Sequence, residues 1–349
     1  MTRTIRVGDV EFGAGRLVVV AGPCVLESLE LGLEVAERTK ALCEALEFGY
    51  VFKSSFDKAN RTSITSYRGP GIEKGLEWLG TIGKRVGVPV LTDIHEPHQA
   101  ALAAETVDIL QIPAFLCRQT DLLVAAARTG RALNVKKAQF MAPEDMSAVL
   151  SKCAEAGNGN VILCERGTSF GYHQLVVDMR SLAVMRSLGV PVMFDATHSV
   201  QTPGGKGTTS GGDRRFVLPL ARAAVAVGID SLFLEVHPDP DRAMSDGPNM
   251  VPLGALGYFL EQVRSLDAVV MKAELGIHMD DAEIDSLNEF RSILEGQAVI
   301  LACQRRTLED IARMDECSRL CRERLGQGES IAQPSADFHL ALMAATHNQ

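Results

Sequence analysis

The 349-residue sequence has no long apolar run, no excess of positive charge and no regular spacing of its eight cysteines. No run approaches a membrane span, and no signal-peptide core follows Met1-Thr2-Arg3-Thr4. The formal net charge of -9 argues against nucleic acid as a partner. Cysteines at irregular spacings in a chain of this length indicate reduced thiols, most of them small buried apolar residues. These absences predict a cytoplasmic protein with no membrane and no nucleic-acid partner.

Strand patterns recur along the chain with amphipathic stretches between them. The predicted strands are Leu17–Ala21, Tyr50–Ser54, Val88–Thr92, Val107–Gln111, Ala132–Lys136, Asn160–Glu165, Val190–Asp195 and Ser231–Val236. The predicted helices include Leu29–Leu46, Glu73–Val86, Thr120–Thr129, Pro143–Ala156, Asp213–Val227 and Pro252–Ser265. Eight such units in about 250 residues predict an α/β fold, the (β/α)8 or TIM barrel. A hairpin turning at Gly8-Asp9 precedes it.

Reactive residues fall at or just beyond the carboxyl ends of successive predicted strands. They are Cys24, Lys53, Asp93, Gln111, Lys136, Arg166, His198 and Glu235. Active sites of (β/α)8 barrels lie on that rim. A doubly wound sheet is the alternative fold, but it would gather polar groups at one switch point.

The richest polar stretch is Lys53–Ser63, which follows the short aromatic strand pattern Tyr50-Val51-Phe52. It contains Lys53, Lys58, Asn60 and Arg61 with several hydroxyls, and only Asp57 balances the cations. Arginine grips phosphate with paired hydrogen bonds, lysine adds point charge, and amides and hydroxyls read hydroxyl groups. A phosphorylated polyol therefore suits this stretch better than a solvated basic loop would.

Two other cationic segments have competing interpretations. Lys136 and Lys137 lie on opposite faces of one strand, so one must point inward, and an inward lysine favours a ligand anion. Arg118 has only Asp121 as a nearby acid, so a surface salt bridge remains the alternative to a binding role there.

A possible metal site comes from three strands that adjoin in a closed barrel. Cys24, His198, Glu235 and Asp246 would meet there, and a thiol, an imidazole and two carboxylates suit a divalent transition metal such as Zn, Fe or Mn. Taken alone, His198 would be a satisfied core residue and Cys24 an inert buried thiol. The glycine-rich stretch 203–212 lacks P-loop spacing and indicates a mobile lid.

Taken together, these motifs resemble the metal-dependent branch of the 3-deoxy-D-manno-octulosonate 8-phosphate synthase family. The matching segments are Ala21–Cys24, Lys53–Arg61, Thr92–Glu96, Gln111–Thr120, Asn134–Lys137, Glu165–Gly167, Asp195–Gln201 and Glu235–Asp246. The resemblance covers residues 5 to 265 or so and implies a (β/α)8 barrel in a homotetramer. It implies condensation of phosphoenolpyruvate with arabinose 5-phosphate for lipopolysaccharide biosynthesis.

Roles for site residues follow from this resemblance. Phosphoenolpyruvate would be held by Lys58, Lys136 and Arg166, with Gln111 near it and Lys53 among the substrate-binding cations. Asn60, Arg61 and Thr62 would clamp arabinose 5-phosphate, and Thr62 replaces the usual serine. Arg118 would reach a neighbouring subunit's sugar phosphate.

The metal-dependent branch is distinguished by Cys24, because the metal-free branch has asparagine at that position. Cys24, His198, Glu235 and Asp246 match the family's ligands for a divalent metal, which could be Zn, Fe, Mn or Co. Lys58, Asp93, His198 and Cys24 form the expected catalytic set. Asp93, His198 and the metal all remain candidates for activating the water.

Residues 266–349 form a separate helical extension beyond the synthase barrel of residues 1–265. Its Asp337-Phe338-His339 resembles part of the effector domain of GntR-type regulators. Such a domain needs an acid one turn before His339 to bind metal, and Ser335 stands there, so the tail is not expected to bind one. Cys317 and Cys321, one helical turn apart, are assigned to helix packing.

Two other functions remain open at this point. The related condensation with erythrose 4-phosphate is the nearest enzymatic alternative, although its family usually has Pro-Arg where this chain has Ala59-Asn60-Arg61. A metabolite-binding regulator is the alternative outside enzymes, and it rests only on the regulator-like tail.

Overall fold

The computed structural model describes residues 2–61, 63–203, 211–274, 302–327 and 332–347. The chain divides into two compact units, Met1–Leu275 and Gly276–Gln349. Among the described residues, no helix is both long enough and apolar enough to cross a membrane.

A β-hairpin forms the beginning of the first unit. Strands β1 (Ile5–Val7) and β2 (Val10–Phe12) pair antiparallel, with Ile5 opposite Phe12 and Val7 opposite Val10. Gly8 in the turn has φ +57°, a backbone conformation that glycine adopts without steric cost. The predicted hairpin is therefore confirmed.

Eight parallel strands follow and close on themselves. They are β3 (Val18–Gly22), β4 (Gly49–Lys53), β5 (Val90–Asp93), β6 (Ile109–Ile112), β7 (Ala132–Lys136), β8 (Val161–Glu165), β11 (Val192–Asp195) and β14 (Ser231–His237). Each pairs with the next in this order, and β14 pairs with β3 to close the ring. The predicted (β/α)8 barrel is confirmed. Two short antiparallel pairs lie in loops: β9 (Thr168–Ser169) with β10 (Leu175–Val176), and β12 (Gln201–Thr202) with β13 (Gly211–Gly212). The short strand β15 (Val251–Pro252) pairs parallel with the end of β14.

Helices surround the barrel and pack on the outward apolar residues of its strands. They are α1 (Leu29–Ala45), α2 (Ile72–Val86), α3 (Pro97–Ala104), α4 (Thr120–Arg128), α5 (Met146–Glu155), α6 (Arg180–Ser187), α7 (Val217–Val227) and α8 (Leu256–Glu274). The predicted helix Asp213–Val227 begins instead as a 3-10 turn at Arg214–Phe216, where Asp213 caps the chain by accepting the Arg215 N–H. Helix α8 continues through Ser265 to Glu274.

Strand alternation positions the site. Inward residues of the strands form one apolar cluster in the lower barrel, which includes Val51, Leu91, Met193 and Phe233. Apolar residues of the hairpin belong to the same cluster and close the lower end of the barrel. Successive side chains on a strand point to opposite faces, so each residue two positions further along also points inward. Those residues are Lys53, Asp93, Asp195 and Glu235, and all are buried. The polar layer therefore lies directly on an apolar floor.

The second unit is helical over its described residues. Helices α9 (Leu308–Gly326) and α10 (Ala332–Ala344) pack through a small cluster of Ala302, Met314, Leu342 and Ala345. Thr307 and Asp310 form a capping box at the start of α9. Cys317 and Cys321 lie on α9, and Ser335 and His339 lie on α10.

We predict that Phe12→Ala weakens the fold without reaching the site. Phe12 is fully buried in the barrel floor, so its removal leaves a cavity that should lower the free energy of unfolding by about 3–5 kcal/mol. Urea unfolding measures the effect, and Glu11→Ala on the exposed face of the same strand is the control, expected within about 0.5 kcal/mol of wild type. An unchanged midpoint for Phe12→Ala would show that the hairpin is not part of the cooperative core.

Candidate active site

Cys24 is fully buried just beyond the end of β3. The chain reaches this point through Gly22, where a Cβ would lie 2.0 Å from the carbonyl oxygen of Lys53. Only glycine allows β3 and β4 to approach so closely there. Burial and the nearby Glu235 carboxylate raise the pKa of the Cys24 thiol well above its usual range. A bound cation is what would favour the thiolate at this position.

The four predicted metal ligands lie close to one another. Ligand atoms of Cys24, Glu235 and Asp246 are all within 4.8 Å of each other. The His198 Nε2 lies 3.5 Å from Glu235 Oε1 and 3.9 Å from Asp246 Oδ2. Glu235 Oε2 is buried without a hydrogen-bond partner among the described residues. An unsatisfied buried carboxylate oxygen beside a thiol and an imidazole fits a divalent transition metal.

His198 is oriented by Asp195, which the sequence analysis did not select as a site residue. The His198 Nδ1 lies 2.8 Å from Asp195 Oδ2, and Asp195 Oδ1 accepts the His198 backbone N–H. The other ring nitrogen is thereby directed toward Glu235 and Asp246. A carboxylate behind an imidazole is the usual arrangement for histidine ligands of metals. Its position two residues after Met193 on an inward face could have identified Asp195.

Two buried lysines share one carboxylate oxygen. Lys53 Nζ lies 3.3 Å and Lys58 Nζ 3.4 Å from Glu235 Oε1. Burial lowers the pKa of Lys53, and the Lys58 charge lowers it further. Burial also opposes the charge of Lys58, but Cys24 and Glu235 outweigh it and raise that pKa. The pKa of Glu235 is held well below its usual range, because His198 and the two lysines outweigh the opposing effect of burial.

Lys136 points into the barrel, as one of the two adjacent lysines was predicted to do. Its ammonium pairs with Asp195 and lies 4.1 Å from the centre of the Phe233 ring. Lys53 Nζ also lies 5.3 Å from the centre of the Phe233 ring, so one aromatic ring contacts two cations. The sequence analysis missed Phe233, although it lies two residues before Glu235 on the same inward face.

Arg166 is the buried arginine of the rim. Its Nη2 donates to Gln201 Oε1 at 2.7 Å, while its Nη1 is buried without a partner among the described residues. Burial lowers the pKa of the Arg166 guanidinium, so a bound anion would favour its charged form. Gln111 accepts a hydrogen bond from Asn134 Nδ2 at 3.0 Å on the neighbouring strands.

Asp93 forms a second buried carboxylate centre. Ser55 Oγ donates to its Oδ1, and His95 Nε2 lies 3.1 Å from its Oδ2. Burial would raise the pKa of Asp93, but His95, Lys53 and Lys58 together hold it well below its usual range. Asp93 is thus an ionised carboxylate, and its low pKa makes it a weak base. Ser55 and His95 were not selected from the sequence.

The remaining predicted residues lie further out. Arg61 donates to Ser245 Oγ at 2.6 Å and to the Met244 carbonyl, on the loop that carries Asp246. Asn60 and Arg118 are exposed. Within the described ranges Arg118 forms no salt bridge, so the predicted alternative of a surface ion pair is not found there. Thr62 and positions 204–210 of the predicted lid lie outside the described residues.

A closed parallel barrel with buried cations and metal-type ligands at the carboxyl ends of its strands defines an enzyme of the (β/α)8-barrel class. The chain belongs to the DAHP synthetase I family, whose model matches residues 3–272. The FCD domain model matches residues 286–349, which agrees with the predicted resemblance to an effector domain of GntR-type regulators.

Three curated relatives carry the name 2-dehydro-3-deoxyphosphooctonate aldolase. The protein from Trichlorobacter lovleyi is 59% identical over 271 residues, covering 77% of this chain and 100% of the relative. The one from Magnetococcus marinus is 56% identical over 284 residues, 80% of this chain and 99% of its own. The one from a Cyanothece strain is 59% identical over 259 residues, 74% of this chain and 95% of its own.

We predict that Asp195→Asn destabilises the protein strongly. The variant leaves Lys136 as a buried cation without its carboxylate, which should cost about 3–5 kcal/mol of unfolding free energy in urea titrations. Glu34→Gln, which breaks the exposed Glu34–Arg38 pair, is the matched control and should cost at most about 1 kcal/mol. Equal effects of the two changes would contradict the central position given to Asp195.

Proposed function

We propose that this chain condenses phosphoenolpyruvate with D-arabinose 5-phosphate to give 3-deoxy-D-manno-octulosonate 8-phosphate and phosphate. The observation that carries the proposal is the group of four buried cations, Lys53, Lys58, Lys136 and Arg166, on one barrel rim. The relatives' name, an aldolase of 2-dehydro-3-deoxyphosphooctonate, describes the same carbon–carbon bond. The product would serve lipopolysaccharide biosynthesis.

Phosphoenolpyruvate would occupy the deep part of the site. Its phosphate and carboxylate would complete the charges of Lys58, Lys136 and Arg166, with Arg166 Nη1 as a ready donor. Gln111 borders the same layer. Arabinose 5-phosphate would lie further out, with Asn60, Arg61 and Thr62 at its hydroxyls and phosphate.

The reaction needs positioning more than strong acid or base chemistry. The enol C3 is a weak nucleophile, so its approach to the aldehyde carbon depends on fixed cations that hold both phosphates. Positive charge then develops at C2, water attacks there, and phosphate leaves. The candidates for taking the proton of that water are Asp93 and, when no metal occupies its Nε2, His198; a bound metal is the third candidate for activating the water.

Cys24, His198, Glu235 and Asp246 are the residues that would hold a divalent metal: Zn, Fe, Mn or Co. Such a metal, when bound, would polarise the aldehyde or a water molecule. Four protein ligands would close a tetrahedral zinc shell, so a metal with room for a fifth ligand suits the proposal best.

The assembly proposed for this chain is a homotetramer. Arg118 is exposed on the loop after β6, close in sequence to the exposed Phe115. Arg118 pairs with no acid among the described residues, and arginine and aromatic side chains are both enriched at protein interfaces. In the tetramer, Arg118 would reach the sugar phosphate of a neighbouring subunit.

We predict a clear preference for the five-carbon sugar phosphate. Turnover with arabinose 5-phosphate should exceed that with erythrose 4-phosphate by at least about tenfold, because Asn60 would bind a hydroxyl that the shorter sugar does not place there. Phosphate release with each sugar measures the preference. Comparable or reversed rates would favour the erythrose 4-phosphate alternative, and no release with either sugar would favour a non-enzymatic regulator.

We predict that a chelator abolishes activity and that Mn, Fe, Co or Zn restores it. Cys24→Ser should reduce metal retention by at least about tenfold in elemental analysis, because the thiolate is lost as a ligand. Cys153→Ser, a buried thiol on α5, is the matched control and should retain the metal. Cys24→Asn should keep some metal-free turnover. Full activity in chelator with no metal detected would assign the chain to the metal-free mechanism.

A further inference from the structure

Behind the residues proposed to bind phosphoenolpyruvate, the barrel wall contains a further buried ion pair. Lys137 directly follows Lys136, and Glu165 directly precedes Arg166. Because alternate residues face opposite sides of a strand, Lys137 and Glu165 point outward from neighbouring strand ends. The Lys137 Nζ lies 3.5 Å from Glu165 Oε2, and both side chains are at most 1% exposed. A buried pair is retained at a cost in desolvation unless further hydrogen bonds satisfy it.

The Glu165 carboxylate accepts hydrogen bonds from the backbone at the active-site arginine. Its Oε1 accepts the N–H of Arg166 at 2.9 Å and the N–H of Gly167 at 2.7 Å. Its Oε2 accepts a hydrogen bond from Ser181 Oγ on α6. Gly167 has φ +93°, so the chain turns sharply here, and within the described part of the chain neither amide bonds to a neighbouring strand.

Lys137 holds the same turn from the other side. Its ammonium donates to Thr168 Oγ1 and to the Met141 carbonyl, both at 3.2 Å, and its backbone N–H bonds to the Cys164 carbonyl at 2.8 Å. The pair thus joins the segments that follow β7 and β8, which are the segments that carry Lys136 and Arg166.

We propose that Glu165 is a positioning residue for Arg166 and that Lys137 balances its buried charge. The inference rests on the proposed function, in which Arg166 binds phosphoenolpyruvate. The guanidinium extends from a backbone that Glu165 fixes through two charge-assisted hydrogen bonds. A small rotation of that turn would move the guanidinium away from the position in which it binds the anion.

The test compares two double variants that both remove the charges. Lys137→Met/Glu165→Gln keeps an oxygen at the position of Oε1, whereas Lys137→Met/Glu165→Leu has a side chain of similar size without an acceptor. We expect the Gln variant to bind phosphoenolpyruvate within about threefold of wild type and the Leu variant at least about tenfold more weakly. The KM for arabinose 5-phosphate should change less than about twofold in both.

Calorimetric titration with phosphoenolpyruvate measures the affinity, and circular dichroism establishes that each variant is folded. Ser181→Ala, which removes a bond to the same carboxylate but does not touch Arg166, should lower the urea midpoint and leave phosphoenolpyruvate affinity unchanged. Equal affinities in the two folded double variants, or parallel losses for both substrates, would overturn the proposal. If the Leu variant does not fold, a tenfold loss in the folded Gln variant overturns it just as well.

Failure of the proposed function would look different. Wild-type protein that neither binds phosphoenolpyruvate nor releases phosphate would refute the function itself. Wild-type protein that binds phosphoenolpyruvate while the variants bind it equally well would refute only the role of Glu165.

Discussion

The carboxylate of Glu235 holds the charges of the barrel rim together. One of its oxygens lies within 3.5 Å of Lys53, Lys58 and His198, and the other has no hydrogen-bond partner within the described residues. Two ammonium groups this close would repel each other strongly without a shared anion. The same carboxylate therefore permits a cluster of buried cations and offers an oxygen to a metal. Under the proposed function, substrate binding and metal binding would share this one residue, so a change at Glu235 would affect both.

Strand alternation explains which parts of the site could be predicted from sequence. Lys53, Asp93, Lys136 and Glu235 end parallel strands in the inward phase, and the barrel brings such ends to one rim. The hairpin, the closed barrel and the helical tail followed from local patterns in the same way. The beginnings of helices were harder, as at Asp213, because a 3-10 turn and a first helical turn have similar sequence patterns.

Residues that act through other residues were not selected from the sequence. Asp195 orients His198, and Phe233 lies near two lysines. Both belong to the inward pattern, but that pattern alone does not tell which partner each one contacts. Glu165 and Lys137 point outward from the barrel, where charged residues usually lie on the surface. In the structure both side chains are buried on the helix side of the barrel wall. Arg118 and Asn60 depend on a substrate or a second subunit, so their roles stay predictions derived from resemblance.

The hairpin floor has a consequence for the order of events under the proposed function. With the lower barrel filled by apolar side chains, the buried cations can be reached only from the rim. Under the proposed roles, a molecule bound to Lys136 and Arg166 would lie deeper in the barrel than one bound at Arg61. Phosphoenolpyruvate would then bind before the sugar phosphate. A sugar phosphate bound first would block the only entrance to the deeper cations.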